Sequence, residues 1–524
     1  MSSGYRTVHV RVNDAATGQP TPVRLRFTDA VGNYLAPLGR LTDFSTRPFE
    51  DVGGNLHLGG RNYAYIDGTC EIRLPAGPVL VEIHKGPEYR PVRQEVTPGI
   101  GKMALRLQVE RWIDLRREGW YAGDIRAYAL SPHAALLEAA AEDLAVGNLL
   151  ASEFRLITTE VSLPGVQIEV KAVGFEIPPE SLGPQRYRVI PNILAFSGQQ
   201  PALQVPGHLV VVNTQNSHPV LGSLALLNCH RPVYPLTFGG PDGWDDWTLA
   251  DWCDQCHRKG GLVVWTRELW RSGSGFSHYG EPLADLVLGK VDAIECGAHG
   301  WKEAHWHELL NGGLRLPVVG GSAKHSNLEA LGKWRTYACL LPGEEFTYRN
   351  WIEAIRAGRT FITNGPLLTL TADGKEPGAT VAVSAAAPTV RVRTEARSAE
   401  PFAQVQILAN GAVVAESDAV EATQAASVEA DVALPAGGWV AARCWGHRSA
   451  AGVAPYAHTS PVYVRVTGRP PWADPAALSV LLNDLEGMRT WVQQEARCET
   501  DKQRQDLLDI FTSARQELLR RQGT

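Results

Sequence analysis

The chain has no apolar run that approaches the ~18 to 20 consecutive residues needed by a membrane-spanning helix, so no membrane role is expected. A surplus of positive charge is also missing. Fifty Lys and Arg stand against 56 Asp and Glu, for a net charge of -6. That leaves no basic surface for nucleic acid or anionic lipid. The opening residues, MSSGYRTVHVRVND, hold no apolar signal core and run straight into strand alternation, which points to a cytoplasmic protein. Cysteine is sparse, and its positions (70, 229, 253, 256, 296, 339, 444 and 498) are too scattered for a disulfide framework. Cys253, Cys256 and His257 fit the spacing of c-type haem attachment. They lie, however, in a helical pattern (Trp244, Trp247, Leu249, Trp252) ahead of a buried strand, and a reduced structural pair is expected. Neither a Ser-His-Asp arrangement nor a nucleophile-elbow sequence is visible.

What is present is the balance of a folded globular protein, 44% hydrophobic and 20% charged. A chain of 524 residues should divide into three or four domains at roughly 150 residues each. Residues 1–111 alternate with period two (Val8, Val10, Val12; Val23, Leu25, Phe27; Val79, Val81, Ile83) and predict an N-terminal β-sandwich. From 112 to 365 the pattern becomes helix, glycine stop and short apolar strand, repeated. Helices are predicted at 245–258, 282–289, 301–311 and 348–357, and this alternation implies a parallel sheet in a closed or nearly closed, TIM-like α/β barrel. Residues 155–243 are proline-rich and less regular. Alternation returns over 366–469, with a hairpin signal at Asn410-Gly411, and predicts a second β-sandwich. Residues 470–524 read as a helical hairpin with Leu478, Leu481, Leu485, Leu507, Phe511 and Leu518 inward, packed on the barrel or serving as a dimerising surface.

In such a barrel the chemistry sits at the carboxyl ends of the strands. Those ends carry Asp124 to Tyr128, Ser152-Glu153, Arg267-Glu268, Glu295-Cys296, Ser322 to His325 and Asn364. Together with GPEYRP (86–91), GWYAGD (119–124), ELLNGGLRLPVVGGS (308–322) and WIEAIRAGRTFITNGPLLTL (351–370), they resemble the polymerase-and-histidinol-phosphatase (PHP) metallohydrolase family in its CehA/McbA, carbaryl-hydrolase-like branch. The resemblance implies a distorted PHP-type (β/α) barrel flanked by two sandwiches. It also implies strand ends that hold two or three Zn, Mn or Fe ions, whose activated water attacks phosphoester, carboxylic or carbamic ester bonds.

Against the family pattern, most metal ligands are replaced. Arg126 and Tyr128 stand where the first motif has two histidines, Ser223 stands for a Gly-His histidine, and the histidine expected around Thr266 to Glu268 is absent. The terminal Asp-x-His motif reads Ala323-Lys324-His325. Asp124, Glu142, Glu295 and His325 survive. Arg126 has no lone pair to offer and would repel a cation. The expectation is therefore a pseudoenzyme with no metal cofactor, acting as a binding, structural or partner protein. The alternative is a divergent hydrolase on a reduced metal site, with one Zn, Mn or Fe held weakly by Asp124, Glu295 and His325.

The residual pocket is expected to comprise Asp124, Arg126, Tyr128, Glu142, Glu268, Glu295, His325 and Arg335. Arg126, Lys324 and Arg335 could converge on a small anionic ligand there, or each could form an ion pair with Asp124, Glu142 or Glu295 and fill the space that metals would take. Other chemistry-bearing residues are His278 and Glu281 in an expected loop, Cys296, and His299, His305 and His307 beyond it. His305 and His307, two apart on a helix, cannot easily share one ion. A homo-oligomer or protein partner could use the C-terminal helices. A carbohydrate-binding or adhesive role has little support, because the 15 tryptophans concentrate in the barrel half, where burial explains them.

Overall fold

A computed structural model describes residues 5–48, 50, 53–98, 104–128, 130–157, 186–239, 243–266, 278–297, 303–418, 422–447 and 454–522. In the strand Tyr5–Asp14, Val8, Val10 and Val12 are buried while Thr7 and His9 stay exposed, as the period-two pattern requires. This strand pairs antiparallel with Thr69–Pro75 and parallel with Ala104–Val109. A second sheet runs in the order Asn55–Leu58, Arg61–Ile66, Val23–Asp29, Val79–His84 and Val92–Val96. The two sheets share one apolar core that includes Val10, Leu25, Phe27, Ile72, Leu74, Val81 and Ile83. Each such side chain contributes about 1.5–3 kcal/mol on burial.

The rest of the molecule is organised by a single mixed sheet of 16 strands. From one edge its order is Val318–Val319, Ala293–Glu295, Leu262–Thr266, Gly222–Leu227, His208–His218, Val146–Ala151, Trp120–Ala127 and Arg335–Cys339. It continues through Thr360–Thr363, Tyr456–Thr459, Gly438–Trp445, Gln404–Ala409 and Ala412–Glu416. Every residue of Val146–Ala151 and Leu262–Thr266 is buried, so these strands are covered on both faces.

The expected parallel arrangement holds only in part. Gly222–Leu227 and Arg335–Cys339 run antiparallel to both neighbours. The reason is local, since a three-residue turn joins His208–His218 to Gly222–Leu227, and only an antiparallel partner can be reached that way.

The sheet curls into a half-barrel, and the segment after its first edge strand folds back to meet the middle. Ala323 N–H donates to Arg126 O (2.9 Å), and Tyr128 N–H donates to Lys324 O (2.7 Å). Gly320 N–H reaches Thr336 Oγ1 at 2.7 Å.

Seven helices lie among the described residues: α1 (Pro132–Ala141), α2 (Leu249–Arg258), α3 (Glu281–Val287), α4 (Glu303–Asn311), α5 (Tyr348–Arg356), α6 (Pro475–Gln494) and α7 (Asp501–Gln522). Local chemistry sets their ends. Ser131 Oγ caps α1 through Ala134 N–H at 3.2 Å, with Pro132 at the first helical position. Thr248 and Asp251 form a capping box on α2, which stops where Gly260 takes φ +74. Thr347 caps α5.

Helices α6 and α7 pack back on the molecule. Leu478, Leu481, Leu485, Met488, Phe511 and Leu518 share a core with Leu283 and Val287 of α3 and Leu309 and Leu310 of α4. No helix among the described residues is long and apolar enough to cross a membrane.

The strands after residue 366 do not stand apart from those before it. Phe361 pairs with Thr459, Ile362 with His458 and Thr363 with Ala457, so the sheet continues unbroken across that position. A smaller sheet of Leu367–Ala372, Thr389–Phe402 and Thr423–Ala433 lies over this part and shares its core.

Candidate functional site

Strand Trp120–Ala127 delivers Asp124 and Arg126 to the curled interior, with a register irregularity between Asp124 and Ala127. Such irregularities re-aim side chains at strand ends. Asp124 is fully buried and accepts three backbone N–H bonds: from Arg126 (2.9 Å), Ser322 (3.0 Å) and Gly332 (2.7 Å). Burial pushes its pKa up, against the lowering effect of these bonds and of the Ser322 hydroxyl. With most of its lone pairs engaged, this carboxylate organises the 322–332 loop.

Arg126 is 1% exposed, and its Nε lies 2.8 Å from Glu295 Oε2. Its Nη1 donates to the Tyr128 hydroxyl at 3.1 Å, and that hydroxyl donates to Gln215 on the neighbouring strand. Gly321 is tightly enclosed here, since a Cβ on it would stand 2.9 Å from Glu295 Oε1 and 3.0 Å from Arg126 N. Ser223 and Thr266, the latter at the start of the 266–268 stretch where a histidine is expected, face each other in register. Both are buried, and neither hydroxyl has a hydrogen-bond partner among the described residues. A guanidinium, a tyrosine, a serine and a threonine offer no imidazole nitrogen, so these residues do not fit a metal cluster.

The three expected cations do not converge. Arg126 pairs with Glu295. Lys324 is fully buried, with Nζ bonded to Ser326 O (3.1 Å) and Glu329 O (2.8 Å) and lying 3.6 Å from Glu138 Oε2. Arg335 donates to Gly332 O and, at 2.9 Å, to the backbone oxygen of Glu142. Glu142 in turn belongs to the contact with the N-terminal sheets, where its Oε1 meets Arg24 Nε at 2.7 Å and Tyr65 OH at 3.0 Å. His325 is half-buried, with Nδ1 3.0 Å from Ala323 O. Glu268 lies outside the described residues, as does His299. Glu281, expected in a loop, instead opens α3, where it is fully buried with Oε1 accepting Ala250 N–H at 2.9 Å. Cys253 and Cys256 are buried free thiols on α2, and the thiol near Cys256 is Cys229, with the two Sγ atoms 3.4 Å apart, rather than the expected Cys253.

A second cluster was not foreseen as a unit. Glu303 and His307, four apart on α4, face His458 of the strand Tyr456–Thr459. Their ligand-type atoms all lie within 4.8 Å of one another. His307 Nε2 is 3.2 Å from His458 Nε2, and Glu303 Oε1 is 3.7 and 3.9 Å from those two nitrogens. Arg443 Nη1 (2.6 Å) and Tyr456 OH (2.5 Å) hold the Glu303 carboxylate. Burial raises the Glu303 pKa, but His458, His307, Tyr456 and Arg443 outweigh this and hold it below the ordinary value. Burial, reinforced by His458, pushes His307 down to about 3, and burial lowers His458 too. The sequence offered one signal for this site, the i, i+4 spacing of Glu303 and His307. His458, 151 residues further on, carries no local mark. Compared with family models, curated proteins and solved structures, the chain matches none.

Proposed function

We propose that the chain is a PHP-type metallohydrolase homologue of the CehA/McbA branch, with a distorted barrel, two flanking β-sandwiches and a C-terminal helical hairpin. In this reading it no longer carries a metal cluster at its strand ends and works as a non-catalytic binding, structural or partner protein. One observation carries the reading: the Arg126–Glu295 ion pair, 2.8 Å long and almost fully buried, lies beside Asp124, where the first motif of the family places histidines. A buried guanidinium held by a carboxylate compensates the acid that a metal would otherwise neutralise. The ligand-binding half of the reading draws on a cavity of about 510 Å³, lined among others by Arg24, Tyr63, His84, Lys333, Arg335 and Asn364. Its lining mixes these cations with Glu142, which is paired with Arg24, and Glu400, and a small anion would be taken by Lys333 and Arg335.

The test is turnover. Purified protein, stripped with chelator and reloaded with Zn, Mn or Fe, is assayed on aryl phosphate and aryl ester substrates. The expected result is no turnover that depends on His325 or Glu295. Metal-dependent turnover that disappears in folded His325→Ala or Glu295→Gln protein would overturn the proposal. The metal content of a His307→Ala/His458→Ala double variant isolates the strand-end site, and stoichiometric metal there would count equally against it.

A further inference from the structure

We propose that Glu303, His307 and His458 bind one divalent transition-metal ion, zinc by preference, at the seam between α4 and the strand Tyr456–Thr459. The site is separate from the strand-end residues around Asp124, and the proposal does not rest on what they do. Two imidazole nitrogens and one carboxylate oxygen form a donor set that suits zinc. With Zn–N distances near 2.0–2.1 Å, two imidazole nitrogens on a tetrahedral ion stand about 3.3 Å apart. His307 Nε2 and His458 Nε2 are 3.2 Å apart. Glu303 Oε1, at 3.7 and 3.9 Å, needs to close by only a few tenths of an ångström to complete the three-ligand face.

The surroundings prepare these groups for the role. His458 Nδ1 lies 2.8 Å from Thr459 O. An N–H donated there fixes the tautomer whose Nε2 lone pair faces the cluster, the outer-shell bond usual for metal-bound histidine. Tyr456 and Arg443 orient the carboxylate. The rest of the Arg443 guanidinium is turned to Gln406 Oε1, at 3.0 Å from Nε and 2.5 Å from Nη2. Trp306 lies 4.9 Å from the His458 ring and Trp439 4.9 Å from the His307 ring, giving walls that limit ring rotation. The Glu303 side chain retains 22% exposure, so a solvent ligand can take a fourth position.

The competing arrangement is a purely structural cluster, in which His307 Nε2–H donates to His458 Nε2. The two differ in the position of one proton. On metal binding, His307 must carry its hydrogen on Nδ1 rather than Nε2, with no net charge change in the ring.

The experiment uses the full chain, stripped with chelator and titrated with Zn²⁺ by calorimetry and with Co²⁺ by visible absorption. One equivalent should bind, and X-ray absorption of the loaded protein should show two imidazoles with oxygen ligation. His307→Ala and His458→Ala should each weaken binding by more than the roughly 10–100-fold that loss of an outer-shell partner costs. His325→Ala should leave binding unchanged. Failure of the wild-type protein to bind one equivalent, an absorption spectrum without imidazole, or unchanged affinity in the His307 and His458 variants would each overturn the assignment. The wild-type spectroscopy decides the matter even if a variant does not fold.

Discussion

Arg126 and Glu295 stand 169 residues apart in sequence, yet they hold a 2.8 Å ion pair in which each residue is 1% exposed. The two charges neutralise each other inside the fold, and the energetics of the pair can be measured. Removing one partner of a buried pair strands the other charge at a cost of about 3 kcal/mol or more, whereas replacing both with apolar residues is often neutral. Glu295→Gln should therefore melt well below the wild type, and Arg126→Met/Glu295→Leu should recover most of the loss. Thermal unfolding of the three proteins is the measurement. A double variant less stable than Glu295→Gln would show that the pair contributes something that packing cannot replace.

Burial gives Glu281 an unusual pH signature. Burial pushes its pKa up to about 7, and its Oε2 has no hydrogen-bond partner among the described residues. Between the ordinary glutamate value near 4.5 and about 7, the folded chain retains a proton that the unfolded chain has released. Stability from this group is thus present at low pH and is lost as pH rises through that window. Glutamine does not titrate. The midpoint of denaturant unfolding for Glu281→Gln should therefore rise relative to wild type from pH 5 to pH 7 and level off above. Parallel pH profiles would contradict the raised value.

Close packing predicts a contrast between two glycines. A Cβ at Gly123 would lie 2.4 Å from the ring of Trp351, a fully buried side chain pinned by a 3.0 Å bond from its Nε1 to Tyr121 O. Gly123→Ala should cost about 1–3 kcal/mol through overpacking. At Gly365 no atom lies within 4 Å of the added carbon, and alanine there should change stability by less than about 0.5 kcal/mol. Equal effects at the two positions would refute the packing described around Trp351.

The C-terminal hairpin offers a similar pair. Phe511 is fully buried in the core shared with α3 and α4, while Leu519 on the same helix is 38% exposed. Phe511→Ala should cost about 3–5 kcal/mol, and Leu519→Ala about 0.5 kcal/mol or less. Chemical unfolding monitored by tryptophan fluorescence checks this, since Trp491 lies in the same core. A mild Phe511→Ala would mean that the hairpin packs only loosely on its own chain.

Several elements carry their cause in nearby residues. Thr500 and Gln503 cap α7 reciprocally, with bonds of 2.8 and 3.3 Å. Asn410 and Gly411 take φ +50 and +85 and turn the hairpin between Gln404–Ala409 and Ala412–Glu416. Helices at 249–258, 303–311 and 348–356 fall within a few residues of the periodic patterns. Strand direction was less legible. Hydrophobic content marks Gly222–Leu227 as buried, but only the short turn before it makes it antiparallel. At the strand ends, the Arg126 substitution announced a positive charge in the interior, while its partner was one of three carboxylates that the sequence left open. The gathering of Glu303, His307 and His458 depends on how far the sheet continues past residue 366, and no residue spacing encodes that.

That continuity has a consequence for any attempt to divide the molecule. Thr360–Thr363 is hydrogen-bonded on one side to Arg335–Cys339 and on the other to Tyr456–Thr459. A chain cut after residue 365 would keep the first neighbour and lose the second, leaving a row of bare N–H and C=O groups along a strand. Such an edge recruits other strands and seeds aggregation. The later half of the sequence therefore acts as a seal on the earlier half.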